Sequence, residues 1–99
     1  MKLREASHQR QSETETALSA YANSLQRLEA LTAARDEAEV AAKIVRAQQR
    51  EGQVDSLALL DAERTFAESQ ADVAEMNGQV SAAQIDLFRA LGGGWGQAA

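Results

Sequence analysis

Ninety-nine residues pass without a single proline, and the apolar residues fall at helical spacing with only one interruption. That interruption is Gly52-Gln-Val-Asp-Ser-Leu-Ala-Leu-Leu-Asp61, where the helical pattern stops and at once restarts. A chain that lacks the strongest helix breaker and is rich in Ala, Leu, Glu, Gln and Arg favours long helices. One short break between two such helices allows few outcomes, because a brief connection makes consecutive helices antiparallel neighbours. The predicted fold is therefore all-α: a long antiparallel helical hairpin, or coiled coil. Its elements are a helix over about 12–50, a tip at 51–55, a helix over about 56–91 and a glycine-rich tail at 92–99.

The boundaries rest on particular residues. Gly52 suits the position just past a helix end, where a positive φ carries no Cβ penalty. Asp55 is placed to cap the second helix, and Val54 with Leu59 would form a hydrophobic staple across its first turn. Gly92-Gly93-Gly94 predicts the C-terminal stop, and Trp95 after it reads as a packing anchor. At the other end, Ser12-Glu-Thr-Glu15 fits a capping box. The same four residues fit equally well inside a longer helix.

Periodicity differs between the two helices. In the second, Leu59, Phe66, Val73, Val80 and Leu87 recur every seven residues. Ala62, Ser69, Met76, Ala83 and Ala90 follow each by three, so large and small residues alternate along one seam. A further stripe of small residues runs through Ala67, Ala71, Ala74, Gly78 and Ala82, which suggests more than one packing neighbour. In the first helix the apolar series is Leu18, Tyr21, Leu25, Leu28, Leu31, Ala34, Ala38, Ala41 and Val45. Its successive steps of three from Leu25 to Ala34 predict a break in the heptad phase.

Charge and composition exclude several functions. The net charge of −5 argues against nonspecific nucleic-acid binding, which needs a basic face. Cations are scattered among acids, as in the i,i+4 pair Glu39 and Lys43. Without cysteine there are no disulfides, thiol chemistry or most structural zinc sites. Met1-Lys-Leu-Arg-Glu lacks the apolar run of a secretory signal. No stretch reaches the roughly 18 apolar residues of a membrane-spanning helix, so direct membrane insertion is not expected. His8 is the single histidine and lies in a weakly patterned end. No nucleophile–base pair, metal-ligand cluster or phosphate loop is visible, and neither an enzymatic role nor a cofactor is expected. Asp61 stands out only by position: it lies one turn after Leu57 on the same helix face, where favourable placement near a helix N-terminus accounts for it.

The run Gly52-x-x-x-x-Leu57-x-Leu59-Leu60-Asp61-Ala62-x-Arg64, with Ala67 and Ala71 and the ending Ala90-Leu91-Gly92-Gly93-Gly94-Trp95, resembles the outer membrane efflux protein family. These are the TolC-like channels, and the OprM/NodT branch is the most similar. Thr16-Ala-Leu-Ser-Ala-Tyr21 is similar to the family's descending helix. The resemblance extends from about residue 12 onward and implies the C-terminal portion of such a protein. It further implies a homotrimeric outer-membrane channel of Gram-negative bacteria, whose periplasmic α-helical tunnel works with a periplasmic adaptor and an inner-membrane pump in solute export. Gly52, Gln53, Val54 and Asp55 would then form the adaptor-docking tip. Leu57 and Asp61 match the leucine and aspartate that line the closed aperture. Three leucines can dewet a constriction, and three carboxylates would attract cations and respond to pH. The chain departs from the family pattern at Gln49, Glu51 and Ser56. Two rival roles share the hairpin: a periplasmic adaptor hairpin and an unrelated coiled-coil interaction protein.

Overall fold

In the computed structural model the backbone is described over residues 2–98 and the side chains over 6–92. The fold is an all-α helical hairpin of two helices, α1 (Lys2–Arg50) and α2 (Ser56–Ala98), joined by residues 51–55. Both helices overrun their expected outer ends. α1 begins at Lys2, so Ser12 lies in its interior and caps nothing. α2 continues through Gly92-Gly93-Gly94 to Ala98. The correction has a simple cause: glycine costs a helix about 1 kcal/mol per residue but, unlike proline, does not clash with the preceding turn. Trp95, expected as a packing anchor, lies outside the described side chains.

The chain divides into two compact units. In the unit Arg27–Asn77, α1 turns Leu28, Leu31, Arg35, Ala38, Ala42 and Val45 inward, and α2 turns Leu59, Ala62, Phe66, Ser69, Val73 and Met76. Ala42 is 1% exposed and Met76 3%, the most enclosed side chains of that seam. An ion pair of 3.0 Å between Arg46 Nη2 and Glu63 Oε1 links the two helices beside it. Both side chains are half exposed, so the pair stabilises by about 0.2–1 kcal/mol. Lys43 and Glu39 approach at 4.0 Å along α1, as their spacing predicts.

In the second unit, formed by Met1–Gln26 and Gly78–Ala99, the inward residues are Thr14, Ala17, Tyr21 and Ser24 on α1, and Val80, Ala83, Leu87 and Ala90 on α2. Ser24 is buried, and its hydroxyl donates to the Tyr21 carbonyl oxygen at 2.7 Å, which removes the penalty for an unpaired polar group.

These positions correct the reading of α1. Its inward residues advance by alternating steps of three and four from Thr14 to Val45, so the heptad phase is unbroken. The expected break came from following apolar residues alone. Leu18, Leu25, Ala34 and Ala41 are exposed. Ser24, Arg35 and Ala42 hold seam positions instead, since a small or long-stemmed side chain also fits there. On α2, Leu59, Phe66, Val73, Val80 and Leu87 are all buried or half-buried, as are the five partners three residues on. The stripe Ala67, Ala71, Ala74, Gly78 and Ala82 is exposed throughout.

Candidate functional site at the hairpin tip

The tip is built by backbone hydrogen bonding. Gly52 has φ 76°, in the left-handed region that a side chain rarely adopts. Its amide donates to the Gln49 carbonyl at 3.0 Å, and the Gln53 amide to the Gln48 carbonyl at 2.8 Å. These two bonds make a Schellman motif, which satisfies carbonyls that the end of α1 would otherwise leave unpaired. The chain then needs only Gln53 and Val54 to reach the next helix start. There the Asp55 carboxylate accepts a hydrogen bond of 2.9 Å from the Ala58 amide, the third residue of α2. Val54 and Leu59 are both half-buried at this junction. Asp55→Ala should therefore lower stability by about 1 kcal/mol, read as a shift in the denaturation midpoint.

Gly52, Gln53 and Asp55 are exposed and Val54 is half-buried. Leu57 is 73% exposed, and Leu60, a residue that sequence reasoning did not single out, is 63% exposed. The two leucines, with Asp55, Ala58, Asp61 and Arg64, line one open surface depression of about 710 Å³ on the first turns of α2. Leu57 and Asp61 thus share a site. The depression lies off the packed seam, because Leu59 and Ala62 occupy the inward positions. The heptad itself carried the missed signal: once Leu59 is assigned to the seam, Leu57 and Leu60 must point elsewhere.

Charge around the depression is unevenly paired. Arg64 Nε sits 3.5 Å from Glu68 Oε1, one turn further along, and not on Asp61. The Asp61 backbone carbonyl accepts a hydrogen bond of 3.1 Å from the Thr65 hydroxyl. What results is an apolar surface edged by a carboxylate and a guanidinium, suited to contact with another protein surface. Among the described residues, no group of three or more His, Cys, Asp or Glu side chains is placed to hold a metal, and no helix is long and apolar enough to cross a membrane.

No protein-family model, curated protein or solved structure matches this chain.

Proposed function

We propose that this hairpin is the C-terminal periplasmic tunnel hairpin of a trimeric outer-membrane efflux channel, contributing tunnel wall, adaptor-docking tip and aperture lining. The observation that carries the proposal is the exposure of Leu57 and Asp61 on one depression directly behind the tip. They are the two residues that the resemblance assigns to the aperture. A seam residue could not line a pore, whereas these two are free to do so in an assembly. Brought together around a threefold axis, three Leu57 side chains would form an apolar constriction and three Asp61 carboxylates a cation-attracting ring.

The tip fits the docking role by the same reasoning. Its turn is fixed by backbone bonds, so Gln53 and Asp55 stand exposed on a rigid support, available to an adaptor's helical hairpin. Transport in this reading is passage through a gated tunnel driven by an inner-membrane pump, and no bond is made or broken.

The test is electrical. In a trimeric channel containing this hairpin, Asp61→Ala should raise single-channel conductance or leakage by relaxing the constriction, and should weaken the preference for cations. Conductance and ion preference both unchanged would sink the aperture assignment.

A further inference from the structure

Asn77-Gly78 is the one asparagine–glycine pair in the chain. Both residues are exposed on α2, and an added Cβ at Gly78 would meet nothing within 4 Å. No hydrogen bond holds the Asn77 carboxamide among the described residues. We propose that Asn77 is a site of spontaneous deamidation whose rate is set by local opening of α2, a property independent of the efflux reading.

The chemistry needs only water. The Gly78 backbone nitrogen attacks Asn77 Cγ, a new C–N bond closes a five-membered succinimide, and the side-chain amide leaves as ammonia, carrying the proton released by the Gly78 nitrogen. Water then opens either carbonyl of the ring, giving aspartate or isoaspartate. Glycine permits this because no Cβ obstructs its nitrogen. The intact helix opposes it, since the Gly78 amide belongs to the i→i−4 ladder and helical backbone angles keep it from Cγ. Reaction therefore waits for a local opening, and Asn and Gly are both poor helix formers.

The consequence lies in packing. Either product adds a negative charge to a chain already at −5. Isoaspartate also inserts a methylene into the main chain beside Met76, which is buried in the seam. The helical ladder cannot continue in register through that insertion, so conversion would loosen the middle of α2. Asn77 would act as a chemical clock on the hairpin.

Asn23, the other asparagine, precedes Ser24 within α1 and serves as an internal comparison. The purified chain would be aged in mildly alkaline buffer, with and without denaturing urea, and the conversion at each asparagine followed by peptide mapping and isoaspartate-specific methylation. Asn77 should convert ahead of Asn23, and faster in urea than in buffer. Gly78→Ala, which has free space for its methyl group and favours the helix, should slow native-state conversion by at least about fivefold. Conversion at Asn23 ahead of Asn77, equal rates with and without urea, or a Gly78→Ala rate equal to that of the parent chain would each overturn the proposal.

Discussion

Val73→Asp is expected to abolish the folded hairpin, whereas Ala74→Asp, one residue away, should leave it nearly unchanged. Val73 is 6% exposed and lies in the α2 seam, between Phe66 and Val80 in the heptad. Replacing it removes about 1.5–3 kcal/mol of apolar burial. The new carboxylate would sit in the seam without a partner, which costs several kcal/mol more unless the helices separate to hydrate it. Small domains have about 5–15 kcal/mol in total, and a two-helix fold with a single seam belongs at the low end. Ala74 is exposed, so its substitution should change stability by no more than about 0.5 kcal/mol beyond a modest helix-propensity cost. Far-ultraviolet circular dichroism of the two variants would decide the matter. Equal helicity and equal melting would mean that the α2 seam is not what holds the hairpin together.

That contrast also marks where the sequence is informative. The α2 stripes were legible because large apolar residues repeat every seven positions and nothing polar but Ser69 interrupts them. The turn was legible because Gly52 and Asp55 each have one strong local reason for their place. α1 was not, and for a physical reason. Its seam mixes Tyr21, Leu28, Leu31 and Val45 with Thr14, Ser24, Arg35 and small alanines, while Leu18, Leu25, Val40 and Ile44 face outward. Hydrophobicity alone cannot assign a face when both faces carry leucine and the seam tolerates serine. Only the spacing, read across polar and apolar residues together, recovers its register. The outer helix ends escaped for a different reason, since capping signals and glycines bias a boundary without imposing one. At the candidate site, the shared face of Leu57 and Asp61 followed from one-turn spacing. Their exposure was implicit in the heptad that gives the seam to Leu59.

The outward leucines lead to the second large effect: melting of the isolated chain should depend on its concentration. Among the described residues, Leu18, Leu25, Val40, Ile44, Leu57, Leu60, Ile85, Phe88 and Leu91 are large apolar side chains exposed off the seam. Fully burying one such side chain is worth about 1.5–3 kcal/mol. Packing these against other copies recovers apolar burial that one seam cannot supply, and mass action then ties stability to concentration. Each tenfold increase should raise the melting midpoint by roughly 3–5 °C, given the usual unfolding enthalpy per residue. Sedimentation over the same range should find species larger than a monomer. A compact monomer with a concentration-independent midpoint would show that α1 and α2 tolerate their outer leucines without a neighbour. The tunnel-wall proposal would then lose its physical motive, because a wall of helices needs each hairpin to have an unsatisfied apolar face for the next.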